Sequence, residues 1–376
     1  MTPQDSWTTR LKDYIAKVLP GAHGHQLKGI TTFVQAIIDK QTGNQAELVR
    51  GLGNQEAAVK RLSRLLHNER LAPHRLADAV LAQALRQLPP TGKVRLALDW
   101  TIEGTQHLLV VSLVTGGRAV PIYWRAYAAT VLKGRMRRYE TAVIRRAITR
   151  VQREIGQRRL IVTADRGFAD VALVEVLTEL GVAFIIRVKG STKVYFHGQW
   201  RHLHTLRFAG NTRQRTLRRL AYCESAPHRL WVTMSRARDR QGQWDTWYLI
   251  SNRCRRAQAT AAEYARRFSC EQGFRDAKWE LGFAQARIKQ IHAWSRLFAL
   301  FALALLVVVS LAVQVLLPRG PDAVALLRRV ASRRRTRWDL SLVSAMVRLL
   351  QEDKSLFAHL SSSINFHLDA RLVYVS

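Results

Sequence analysis

Tyr264, Arg267, Glu271 and Lys278 stand in the segment TAAEYARRFSCEQGFRDAKWELGF. At about 100° per residue, the spacing Y-x2-R-x3-E-x6-K places all four on one stripe of an α-helix. A carboxylate flanked by fixed cations, with a phenol on the same face, suits a metal ion gripping a phosphate backbone. A solvated helix face with i, i+4 ion pairs accounts for the spacing equally well. Thr260 followed by Glu263 reads as a capping box that opens this helix, and Ala261, Ala262 and Ala265 favour it.

Two further carboxylates stand after apolar, β-prone runs. Asp99 follows Val94–Leu98, and Asp165 follows Arg159–Ala164. An Asp at a strand end also serves as a turn or helix cap, so neither is decisive alone. Glu103 lies close enough to Asp99 to be confused with it. If Asp99, Asp165 and Glu271 converge, their mutual repulsion calls for divalent cations. Two Mg2+ ions about 4 Å apart, with Mn2+ as a substitute, would then activate a water or a 3′-hydroxyl and stabilise the leaving oxygen.

The elements that must position these acids follow an ordered pattern. Val94–Leu98, Gln106–Val114 and Ala119–Trp124 read as strands, with a hairpin turn at Thr115–Arg118 and with Pro121 placing the third at a sheet edge. A helix over Tyr139–Gln152, a strand over Arg159–Ala164, a helix over Ala169–Leu180 stopped by Gly181, and a strand over Ala183–Val188 come next. Three meander strands followed by alternating helices and strands predict an α/β fold, a mixed sheet of ribonuclease-H-like order. The sheet puts the first and fourth strands side by side, so Asp99 and Asp165 can meet.

The chain divides by composition into five stretches. Residues 1–90 are helical and form the expected N-terminal DNA-binding region. In it, Gln55–His67 is an amphipathic helix capped by Asn54, with Val59, Leu62, Leu65 and Leu66 on one side and Lys60, Arg61 and Arg64 on the other. Residues 91–190 open the catalytic domain, and 191–252 are a β-rich insertion dense in Arg and Trp. Residues 253–318 supply the catalytic helix and an apolar helix, and 319–376 form a basic C-terminal helical region.

The charge balance names the partner class. Among 376 residues, 60 are Lys or Arg against 27 Asp or Glu, a net charge of +33 spread along the whole chain. A field of that sign fits a polyanion, most simply nucleic acid. Cys223, Cys254 and Cys270 lack zinc-ligand spacing and read as free thiols in a reducing compartment. The N-terminal segment lacks the apolar core of a signal peptide. Leu297–Leu317 is long and apolar enough for a membrane span, but its Ala content, Ser310 and Gln314 favour a helix buried in a large core. A cytoplasmic, nucleoid-associated protein with no membrane is therefore expected.

The four-residue signature, TADRGF and LGVAFIIRVKG around Asp165, and LALDWT around Asp99 together resemble bacterial insertion-sequence transposases with a DDE site. The likeness covers about residues 50 to 300 and is to the insertion-sequence-four family in particular. It implies a cut-and-paste enzyme with Asp99, Asp165 and Glu271 as metal ligands. Tyr264, Arg267 and Lys278 would hold phosphates of double-stranded DNA at the transposon ends, in a homodimeric paired-end complex. It further implies a Trp of the insertion that traps a flipped base during hairpin formation. Trp244 is the favoured candidate and Trp247 the other. The acids alone fit another ribonuclease-H-like nuclease as well, and a catalytically dead DNA-binding derivative would share the composition.

Overall fold

The computed structural model describes residues 3–115, 118–156, 160–208, 212–224, 228–238, 242–317, 320–334 and 337–360. Five helices come first: α1 (Pro3–Val18), α2 (Gly24–Lys40), α3 (Gln45–Val49), α4 (Gln55–Leu66) and α5 (Pro73–Arg86). The Asn54 side chain caps α4 by accepting the Ala57 N–H at 3.0 Å. Ala58, Leu62, Leu65 and Leu66 are buried, while Lys60, Arg61 and Arg64 are exposed. Val59, expected on the apolar side, is also exposed. Ala58, one position earlier, takes the inward place.

The sheet begins with β1 (Val94–Glu103), β2 (Gln106–Thr115) and β3 (Arg118–Ala128), an antiparallel meander. Pro121 lies where expected, on the edge strand, and the β2–β3 register shifts there between Val111 and Ser112. A proline has no N–H for the ladder, which confines it to such a place. Gly116 and Gly117 of the predicted hairpin turn, and Arg159 of the fourth strand, lie outside the described residues. Next come α6 (Ala129–Leu132), α7 (Met136–Ile155), β4 (Leu160–Ala164), α8 (Val171–Glu179) and β5 (Ala183–Val188). Both β1–β4 and β4–β5 are parallel. The result is a mixed α/β sheet with helices on both faces, of the ribonuclease-H-like class.

Residues of the β-rich stretch extend that same sheet. The strands β6 (Lys193–Phe196), β7 (Gln199–His202), β8 (Gln214–Tyr222), β9 (His228–Arg238) and β10 (Trp244–Ser251) follow. β10 pairs antiparallel with β5, giving a ten-stranded order β3-β2-β1-β4-β5-β10-β9-β8-β6-β7 among the described residues.

The chain then forms α9 (Ala257–Ala265), α10 (Phe268–Arg275) and α11 (Ile291–Val315). α11 is the one described helix long and apolar enough to cross a membrane, and 89% of its most apolar stretch is buried within the fold. It packs against α2, α5, α13 (Leu342–Glu352) and β3. Two of its polar residues, Arg296 and Ser310, are satisfied inside the protein, while Gln314 is exposed. Arg296 donates to the carbonyls of Leu71 at 2.7 Å and Leu66 at 2.8 Å. Ser310 donates to Gln87 at 3.3 Å, and Gln87 donates to the Tyr14 hydroxyl at 2.9 Å. Burying polar atoms without such partners would be costly.

Downstream, α12 (Pro321–Val330) precedes α13. Within the region expected as helix, β11 (Arg333–Arg334) and β12 (Arg337–Trp338) instead form a strand pair. Residues 361–376 of the expected C-terminal region lie outside the described residues.

Candidate active site

The parallel β1–β4 register runs from Val94↔Leu160 to Leu98↔Ala164. The next residues are Asp99 and Asp165, which therefore stand side by side where the two strands diverge. Paired strands lie about 4.8 Å apart, so the carboxylates can share one ligand. Strand β1 does not end at Asp99 as expected. It continues to Glu103 because β2 still pairs with it as far as Glu103↔Gln106.

Each Asp accepts a hydrogen bond from a nearby backbone amide. The Trp100 N–H donates to Asp99 Oδ1 at 2.9 Å, and the Gly167 N–H donates to Asp165 Oδ1 at 2.8 Å. In each pair this commits one carboxylate oxygen and leaves Oδ2. Burial pushes the Asp99 carboxyl up to about 6; the Arg267 charge opposes this, while Asp165 and Glu271 add to it. Asp99 thus feels the charges of Arg267, Asp165 and Glu271.

The segment carrying Glu271 is not the regular helix that the spacing predicts. α9 starts at Ala257, and Thr260 lies inside it, where its hydroxyl donates to the Arg256 carbonyl at 3.3 Å. Glu263 makes no capping box. It is buried and takes ion pairs from Arg95 at 2.5 Å, Arg266 at 3.4 Å and Arg255 at 3.7 Å. After Ala265 the chain tightens, with Arg267 N–H donating to the Tyr264 carbonyl at 2.8 Å, an i→i−3 bond. After Arg275 it widens into a π-turn over Asp276–Glu280.

These two irregularities divide the stripe. Tyr264 faces inward with Ile185 and Leu249 rather than toward a ligand. Arg267 is buried, and its guanidinium lies 5.6 Å from the Tyr264 ring and 5.0 Å from the Phe268 ring. Burial opposes the Arg267 charge, yet Tyr264 and Glu271 raise its pKa overall. Neither the Tyr264 hydroxyl nor Arg267 Nε completes a hydrogen bond. Arg267 donates to Glu271 Oε1 through Nη2 at 2.8 Å. Glu271 itself is exposed. Lys278 sits in the π-turn, half-buried, paired with Glu103 at 2.7 Å.

α10 lies close on β3. A Cβ at Gly273 would meet the Ala119 carbonyl oxygen at 2.2 Å, so only glycine fits. A buried pair, Arg118 with Asp276 at 3.8 Å, fixes the far end of the helix to the same strand.

Residues 134–307 match the family described as Transposase DDE domain. This match supports a DDE transposase. No curated protein matches the chain. The matched stretch includes Asp165 and Glu271 but begins after Asp99, which is placed beside Asp165 by the strand register alone. DDE transposases as a family act on DNA and generally use divalent metal ions. Among the described residues no three His, Cys, Asp or Glu side chains gather closely enough to hold a metal. Glu271 is paired with Arg267 instead. The chemistry of the strand-end pair fits a hard cation, because both offer carboxylate oxygen and repel one another without one.

Trp244 and Trp247 occupy different settings. Trp244 is exposed at the start of β10, with Arg213 at 4.9 Å and Arg238 at 5.1 Å from its ring. Trp247 packs 5.4 Å from Tyr264 and 5.6 Å from Phe268, against the root of α10. Sequence reasoning passed over Trp279, the most exposed large apolar side chain described, at 71%, next to Lys278 in the π-turn. It also passed over Arg137, which lies before the expected helix over Tyr139–Gln152, and Glu140, which read only as part of that helix.

Proposed function

We propose that this chain is a cut-and-paste DNA transposase of the insertion-sequence-four type, cleaving transposon ends and joining them to target DNA. The observation that carries this reading is the β1–β4 register, which brings Asp99 beside Asp165. Asp99 and Asp165 would hold Mg2+, with Mn2+ substituting, and Glu271 would complete a two-ion site on leaving Arg267 and closing on the strand-end pair. Such ions supply charge stabilisation to a phosphoryl transition state when bound.

The protein's own groups do the rest. The Trp100 and Gly167 amides orient the two Asp carboxylates, leaving the second oxygen of each for a cation. Arg267 neutralises Glu271 and presents a charge beside it. Tyr264, buried behind Arg267, braces that guanidinium and has no exposed surface for a phosphate. Lys278 reaches the phosphate next to the scissile one by leaving Glu103. Lys60, Arg61 and Arg64 form an exposed stripe on α4 that binds backbone phosphate away from the site. Trp244, held open between two guanidiniums, stacks on an extruded base if cleavage proceeds through a hairpin. Two copies would assemble on paired ends.

The test uses labelled DNA carrying the inverted repeats that flank the coding region. The protein should nick at the repeat boundary in Mg2+ and not in chelator. Cleavage that ignores the repeats would leave only a general nuclease, and no cleavage with any repeat would defeat the proposal.

A further inference from the structure

Both Asp99 and Asp165 are oriented by an adjacent backbone amide, and both supporting residues are tied to one helix. Trp100, whose N–H donates to Asp99, donates its indole Nε1 to Glu140 Oε2 at 2.9 Å. Gly167, whose N–H donates to Asp165, gives its carbonyl to Arg137 at 2.8 Å. Arg137 and Glu140 lie one turn apart on α7 and pair with each other at 3.2 Å. Arg137 also reaches Asp170, the cap of α8, at 3.3 Å. Side chains alternate along β1, so Trp100 points to the α7 face while Asp99 points away from it.

We propose that Arg137 and Glu140 are positioning residues that lock the two strand-end carboxylates together from behind the sheet. This rests on the reading of Asp99 and Asp165 as metal-holding acids. Glu140 is fully buried, and a buried carboxylate is a poor device for stability alone. Its acceptor oxygens are spent on the two residues that lead to the two acid strands. Arg137 closes the loop on the Asp165 side. Small shifts of either strand end are therefore resisted by one rigid unit. Partners of this kind typically change metal affinity by about 10- to 100-fold when removed.

The experiment is hydrogen exchange on the full chain, read by peptide, beside direct Mn2+ titration by electron paramagnetic resonance. In Arg137→Ala, the peptide holding Gly167 should exchange about tenfold faster, while peptides of α11 stay unchanged. Glu140→Gln should do the same to the peptide holding Trp100. Mn2+ should bind about tenfold more weakly to both, and Arg137→Lys should recover part of the loss. Arg137 is half-exposed, so its variant should fold even where Glu140→Gln does not. Wild-type exchange at Gly167 in Arg137→Ala would overturn the proposal. Asp99→Ala combined with Asp165→Ala separates the two claims. Unchanged Mn2+ binding there would defeat the metal reading, while the exchange data still judge the lock.

Discussion

Asp99 sits on β1 and Asp165 just past the end of β4, each taking a hydrogen bond from a nearby backbone N–H, whereas Glu271 stands exposed on a helix interrupted at both ends. The first half of the site is set by sheet register, which cannot shift by one residue without turning every side chain over. The second half hangs on a tight turn before α10 and a π-turn after it. Such irregular turns let a helix re-aim a side chain at modest cost. The contrast suggests a division of labour. On the proposed reading, the sheet would fix the acids, while the helix and the π-turn after it would bring Glu271, Arg267 and Lys278 to the DNA.

The largest expected effect breaks the fixed half. Asp99→Ala and Asp165→Ala should each slow strand cleavage by about 10³-fold or more, with DNA affinity nearly unchanged. Glu271→Ala should be as slow, but binding of the first Mn2+ should survive, because the strand-end pair remains. Single-turnover cleavage and metal titration on the same three variants check this. Equal loss of all metal binding in Glu271→Ala would erase the distinction between the halves.

The next effect displaces the helix without touching an acid. Gly273→Val puts side-chain atoms where the Ala119 carbonyl stands. It should cost about 2–3 kcal/mol of stability and slow cleavage severely, since α10 must move off β3. Denaturant unfolding and cleavage rates measure the two parts. Smaller still, Lys278→Ala should slow cleavage about tenfold and impair pairing of ends, with metal binding retained. Arg267→Ala should cost more, because the residue is buried beside Glu271. Wild-type behaviour in both would return the stripe to a solvated helix face.

The smallest effect is one of stability. Burial raises the Asp99 carboxyl from 3.8 to about 6, so between those values the folded protein holds its proton more tightly than the unfolded chain. The stability tied to this group is full below pH 3.8 and is lost as the pH rises through about 6. Asp99→Asn should therefore stabilise the metal-free protein by about 2–3 kcal/mol at pH 7.5, with the gain vanishing near pH ~4. Denaturant titrations at both pH values test it.

What could be read from the sequence follows from how local each cause is. Pro121 and the strand order were legible because a missing N–H and a repeating β-α pattern act over few residues. The neighbouring of Asp99 and Asp165 followed from that order. The helix breaks were not legible, since TAAEYARRFSCEQGF carries no Pro and its one Gly is required by contact with β3. The inward turn of Tyr264 answers to Ile185 and Leu249. Thr260 and Glu263 matched a capping pattern by spacing, but Arg95 on β1 claimed the glutamate. Arg137 and Glu140 were invisible for the same reason: their partners, Trp100 and Gly167, come from other elements.

The central claim is that Asp165, fixed beside Asp99, binds a catalytic cation through its carboxylate. Asp165→Cys replaces a hard oxygen ligand with a soft sulfur, which Mg2+ accepts poorly and Mn2+ tolerates better. The measurement is single-turnover cleavage of transposon-end DNA by this variant in each metal. The account predicts almost no cleavage in Mg2+ and substantial recovery in Mn2+. Cleavage at the wild-type rate in Mg2+ would contradict it.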